Sequence, residues 1–133
     1  MIVDDPETHA EMEANFAAYE RALVGNDVAA LDGFFLDSDK IIRYGGGENI
    51  YGIEELRAFR AARPSVGLAR DLERTQITTY GRDLAIAATL FRRTNSPGKI
   101  GRQMQTWVRF PHGWRIVAAH VSVIDEPKEA PRG

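Results

Sequence analysis

The residues best placed to do chemistry start from one stretch, Lys40 to Gly52, KIIRYGGGENIYG. Alternation along its first strand puts Ile41 and Arg43 on one face, with Ile42 and Tyr44 on the other. A guanidinium set between isoleucine and tyrosine is not placed like a solvated charge, and a buried arginine needs a partner. Arg43 is therefore a candidate clamp for a carboxylate, which its planar fork holds better than an ammonium would. The competing reading is an edge-strand arginine paired with Glu48 or Glu20. The three glycines that follow lack the spacing and the lysine of a phosphate loop, and they read as a turn or bulge that bends the hairpin.

Tyr19 is the second candidate. Its ring belongs to an apolar stripe with Met12, Phe16 and Leu23, so only its hydroxyl is free to act. That hydroxyl could donate to a developing oxyanion or carbanion, or position a water, against the plainer role of a packed core tyrosine. His120 sits among Ala118, Ala119, Val121 and Ser122 in the last strand. Small neighbours suit a cavity wall, and a histidine there would bind an anion or move a proton, or else face a partner subunit. Arg70 is a candidate second anion contact, set against a solvated strand charge. Gln103, Gln105 and Trp107 share one face of the strand at 100–110, and Met104 and Thr106 share the other. A two-residue loop before Trp114 pairs Gln105 with His120, whereas a three-residue loop pairs Met104 with it. We place Gln105 and Trp107 inward, as substrate contacts beside Arg70 and His120.

Composition removes whole classes of function. With no cysteine there is no disulfide, thiolate nucleophile or thiolate metal site. No grouping of histidine and carboxylate has ligand spacing, so no metal and no cofactor is expected. A net charge of −2 gives no electrostatic case for nucleic acid or an anionic membrane. The acidic N-terminus lacks the basic and apolar regions of a signal peptide, and no apolar run could span a bilayer, so the expected address is the cytoplasm.

These residues need elements to position them. Asp5-Pro6 opens a helix that Gly25 closes, Asn26-Asp27 opens a second with Val28, Leu31, Phe34 and Phe35 inward, and GIEELRAFRAARP forms a third that Pro64 stops. The period then changes to two, giving strands at 68–80, 84–93, 100–110 and 114–124 joined by short turns, an antiparallel meander. The expected architecture is α+β, a cone in which three N-terminal helices pack on a curved antiparallel sheet and enclose a pocket. Residues 1–124 form the single domain, and the polar tail at 125–133 is expected to be disordered. Apolar residues on both strand faces, Val117, Val121 and Val123 opposite Ile116 and Ala118, imply a homodimer packed sheet to sheet.

That element order resembles the nuclear-transport-factor-2-like (NTF2-like, SnoaL-like) superfamily. The strings FAAYERALVGNDVAALDGFF, IIRYGGGENIYG, LRAFRAARPSVGLAR and GRQMQTWVRFPHGWRIVAAHVS resemble a narrower group within it, the AtzH/HpxZ-like proteins of cyanuric acid and oxalurate catabolism. The resemblance covers most of residues 16–122. It implies a catalytic pair at Tyr19 and Arg43, with hydrolysis or decarboxylation of small ureido acids such as 1,3-dicarboxyurea, beside a partner amidase of the amidase-signature type. Met104 and Phe35-Leu36 depart from the pattern and bear on pocket volume. The alternative is a non-catalytic module that binds small anions or associates with an amidase.

Overall fold

Asp5 starts the first helix by accepting hydrogen bonds from the Thr8 backbone N–H at 3.1 Å and the Thr8 hydroxyl at 2.8 Å, with Pro6 in the first turn. Helix α1 runs Pro6–Val24 and buries Met12, Phe16, Tyr19 and Leu23 along one stripe. It ends differently from the sequence expectation: Gly25 is right-handed, and Asn26 takes the left-handed conformation, at φ 50°. Asparagine tolerates that region better than most residues. Asp27 then caps the short helix α2, Val28–Gly33, through the Ala30 backbone N–H.

The computed structural model describes residues 1–63 and 68–127. Beyond α2 come β1 (Ile42–Tyr44), β2 (Asn49–Tyr51), helix α3 (Ile53–Ala62), β3 (Asp71–Tyr80), β4 (Leu84–Arg92), β5 (Lys99–Phe110) and β6 (Gly113–Asp125). The expected stop of α3 at Pro64 and the end of the polar tail, 128–133, lie outside the described residues. β6 runs through Asp125, which ion-pairs with Lys99, and Glu126 pairs with Arg92 at 2.8 Å. The sheet therefore extends into residues that composition assigns to the tail.

The six strands form one sheet in the order β2-β1-β6-β5-β4-β3. All pairings are antiparallel except β1 with β6, which is parallel and places Arg43 beside Ala119. The fold is the expected α+β one, with the helices against the inner face of the curved sheet. Its core is built from Met12, Phe16, Leu31, Phe35, Leu56, Trp107 and Ile116.

Two irregularities bend the sheet and set its faces. β3 shifts register between Glu73 and Gln76, where Arg74 is left-handed at φ 52°. The β5–β6 hairpin closes on Phe110 and Gly113 with two residues between, then shifts after Trp107↔Ile116 to Thr106↔Ala118, which leaves Val117 unpaired. A one-residue bulge inverts which residues of the strand point inward. Trp114 and Ile116 face the helices before it; Ala119 and Val121 do so after it. The bulge yields the Met104↔His120 pairing expected of a three-residue loop from a two-residue loop.

Candidate active site

Helices α1 and α3 close over the inner face of β1, β6, β5 and the end of β4, leaving a cavity of about 280 Å³ lined by Tyr19, Arg43, Phe59, Gln103 and Val121 among others. This lies near the lower end of the ~300–1,000 Å³ typical of ligand pockets and suits a small metabolite. Five arginines line it: Arg43, Arg60, Arg63, Arg70 and Arg93. A wider, more open groove beside Trp114 is less suited to an anion, since its arginine, Arg109, is already engaged by Asp83 at 3.0 Å and Glu11 at 3.7 Å.

Three of the five cationic groups are matched by carboxylates. Arg43 donates from Nη1 to Glu48 Oε1 at 2.7 Å, and its guanidinium lies 5.1 Å from the centre of the Phe59 ring. Arg60 Nε sits 3.2 Å from Asp32 Oδ1. Arg70 is the most completely engaged. Its Nε and Nη2 grip Glu20 at 2.9 and 2.6 Å, and Nη2 also reaches Gln103 Oε1 at 3.0 Å. Arg63 and Arg93 have no carboxylate among the described residues. Arg63 donates to Asn26 Oδ1 at 3.1 Å, and the Nε of each is buried without a partner. Burial first, then the neighbouring Arg60, pulls Arg63 below the ordinary arginine value; burial and Arg70 do the same to Arg93. Both guanidinium groups still stay charged near neutrality. The cavity thus holds an excess of two positive charges and favours an anionic ligand.

Two glycines permit this packing. A Cβ on Gly45 would lie 1.8 Å from Glu48 Oε1, so the first of the three glycines lets the Glu48 carboxylate fold back onto Arg43. Gly46 and Gly47 face open space. A Cβ on Gly101 would lie 2.1 Å from the Phe91 ring, which crosses β5 there and offers its face to Arg70 at 4.5 Å and Arg93 at 4.9 Å.

Tyr19 lines the same cavity, and its hydroxyl has no hydrogen-bond partner among the described residues. Its ring is fixed by edge contacts with Phe34 at 5.7 Å and Trp107 at 6.3 Å between centroids. Tyr19, Arg43 and Arg70 therefore meet at one cavity. Gln105 and Trp107 do point inward, but Trp107 Nε1 donates to Gln105 Oε1 at 3.0 Å in the core behind Tyr19, and neither lines the cavity. Trp107 is fully buried and packs edge-on against the Tyr19 ring.

His120 is the clear departure. It is exposed on the outer face of the sheet, with its ring against Tyr44 at 6.2 Å, because the Val117 bulge turns Ala119 and Val121 inward in its place. Arg70, expected as a second anion contact, has a side chain only 1% exposed, but its donors are engaged by Glu20 and Gln103. Arg60, Arg63, Arg93 and Gln103 are polar lining residues that the sequence did not single out. Strand parity was the available signal for two of them, since Gln103 shares a face with Gln105 and Arg93 with Phe91.

A family profile described as AtzH-like matches residues 1–127. The chain belongs to the AtzH-like family. Among solved structures, this AtzH-like chain is 61% identical to a protein of unknown function from the DUF3225 family of Pectobacterium atrosepticum, with a TM-score of 0.90 over 92% of this chain and 95% of that one. A cystatin-like fold protein of Burkholderia xenovorans is 45% identical, with a TM-score of 0.91 over 96% and 99% of the two chains. An NTF2-like protein of unknown function from Pseudomonas putida shares the fold at 16% identity and a TM-score of 0.73, over 87% and 86%. No curated protein matches the sequence significantly.

Proposed function

We propose that this AtzH-like protein is a cofactor-independent enzyme that decarboxylates a small dianionic ureido acid of the 1,3-dicarboxyurea type in nitrogen-compound catabolism. The observation that carries this reading is the pairing pattern of the cavity. Two cationic charges await a ligand, one phenol is unengaged, and each carboxylate beside the cavity is held in an ion pair with an arginine. No histidine, aspartate or glutamate lines the cavity among the described residues. Hydrolysis at the urea carbonyl requires an activated water and hence a base. Loss of carbon dioxide from an N-carboxylate requires an acid alone.

In the proposed step Arg43 holds one carboxylate of the substrate through the donors that Glu48 leaves available. The Tyr19 hydroxyl gives its proton to the nitrogen bearing the carboxylate that departs. The C–N bond breaks with its electron pair going to that nitrogen, carbon dioxide leaves, and allophanate remains. The phenolate is stabilised by the surrounding guanidinium groups and recovers its proton from water. A thousandfold contribution from this acid corresponds to about 4 kcal/mol of barrier. A dianion also fits the charge excess better than oxalurate, which carries a single negative charge.

The products decide the matter. Purified protein given 1,3-dicarboxyurea and followed by 13C NMR is expected to form allophanate and carbon dioxide without ammonia. Ammonia without allophanate would establish hydrolysis at the urea carbonyl instead. Binding without any turnover would favour the non-catalytic, amidase-associated module.

A further inference from the structure

We infer that Gln103 and Arg93 form a second subsite of the cavity, in which the Gln103 amide N–H binds a carbonyl oxygen of the ligand and Arg93 binds a carboxylate distant from the one on Arg43. The inference rests on the reading that the cavity takes a small carboxylate ligand, but it does not require turnover.

Gln103 is 3% exposed on the inner face of β5, and its orientation is fixed by chemistry. Arginine has no acceptor, so the amide oxygen must face Arg70 Nη2, 3.0 Å away, and the NH₂ group must point the other way. That nitrogen, Nε2, is buried, lies on a residue lining the cavity and has no partner among the described residues. A buried donor left unsatisfied is costly, and native structures keep few of them without a reason. Arg93 adds a second such donor. Its guanidinium is stacked on Phe91, its Nε is buried and unpartnered, and no carboxylate among the described residues balances its charge.

Arg70 is the positioning residue of this wall. Glu20 grips it from α1, Phe91 supports it from β4, and it aims the Gln103 amide. Both unpaired groups are donors, so the matching part of the ligand must be rich in acceptors: a carbonyl oxygen and a carboxylate. A molecule with two carboxylates flanking a carbonyl fits this wall and Arg43 together, whereas a monocarboxylate leaves one end unpaired.

The probe is freshly dissolved 3-oxoglutarate, whose two carboxylates flank a central carbonyl. It is compared by titration calorimetry with glutarate, which lacks the carbonyl, and with acetoacetate, which lacks the second carboxylate. Wild-type protein is expected to prefer 3-oxoglutarate over glutarate by roughly threefold to tenfold, and over acetoacetate by roughly tenfold or more. Gln103→Met, close in volume, is expected to erase the first preference and keep the second. Arg93→Met is expected to do the reverse, and Arg93→Lys to restore part of the second. Unfolding midpoints close to wild type establish that the variants are folded. Equal affinity of the wild type for all three probes, or ratios untouched by either substitution, would overturn the assignment. If the ratios behave as expected while 1,3-dicarboxyurea is not turned over, the subsite stands and the reaction assigned above falls.

Discussion

Glu48 Oε1 lies 2.7 Å from Arg43 Nη1, so this cavity arginine already carries one carboxylate. Gly45 makes room for it, and the Gly47 backbone N–H steadies the second oxygen at 3.1 Å. A ligand carboxylate must share Arg43 with Glu48 or displace it. Glu48→Gln is accordingly expected to tighten binding of 3-oxoglutarate by about fivefold at low salt, a shift of about 1 kcal/mol. Gly45→Ala, which drives the flexible end of Glu48 aside, should act in the same direction. Calorimetric titration of both variants checks this; weaker binding in both would mean that Glu48 holds Arg43 in its working position.

The Glu20–Arg70 pair is a matter of stability. The Arg70 side chain is buried, and Glu20 answers it with two hydrogen bonds. Glu20→Ala strands a buried charge and is expected to lower the unfolding free energy by about 3–5 kcal/mol. Replacing both partners, as Glu20→Leu with Arg70→Met, should recover most of that loss. Denaturant unfolding of the three variants tests the pattern.

His9 ties α1 to β3. Its Nε2 faces the Ile77 carbonyl oxygen at 2.9 Å and its Nδ1 faces Glu13 at 2.7 Å, and only the imidazolium can donate to both. The Ile77 contact is the main reason that its pKa is raised above the ordinary 6.5, with Glu13 adding to it and burial opposing it. A folded value above the unfolded one stabilises fully below the unfolded value and is lost as pH rises through the folded value. Unfolding free energy should therefore fall as pH rises above about 6.5. His9→Gln should remove that part of the slope.

How much of this was legible in the sequence depended on whether a local rule was enough. Tyr19 was readable from the helical stripe and Arg43 from strand alternation, because each needs only its own element to place it. His120 was not, because the Val117 bulge inverts the strand midway and composition gives no sign of it. Arg70 was readable as buried or solvated but not as matched, since Glu20 lies fifty residues away in the chain. Gln103 and Gln105 look alike along β5, and only Trp107, which occupies Gln105, separates a core amide from one open to the cavity.

The same bulge bears on assembly. With Val121 turned to the cavity, the outer face includes Tyr44, Tyr51, His120 and Met104, the last 56% exposed, beside the Arg102–Ser122 pair. Exposed apolar patches of this kind mark interfaces, and we propose that two copies pair through this face. Sedimentation at micromolar concentration should give a dimer, and Met104→Glu a monomer. A monomeric wild type would count against the pairing.

The most direct test of the central claim compares wild type with Tyr19→Phe on 1,3-dicarboxyurea, with allophanate followed by 13C NMR. The substitution removes only the hydroxyl and keeps the edge contacts with Phe34 and Trp107. The expected result is a loss of roughly 10²–10⁴-fold in kcat, the range for a positioned acid, with the affinity for 3-oxoglutarate little changed. Turnover that survives Tyr19→Phe undiminished would contradict the account.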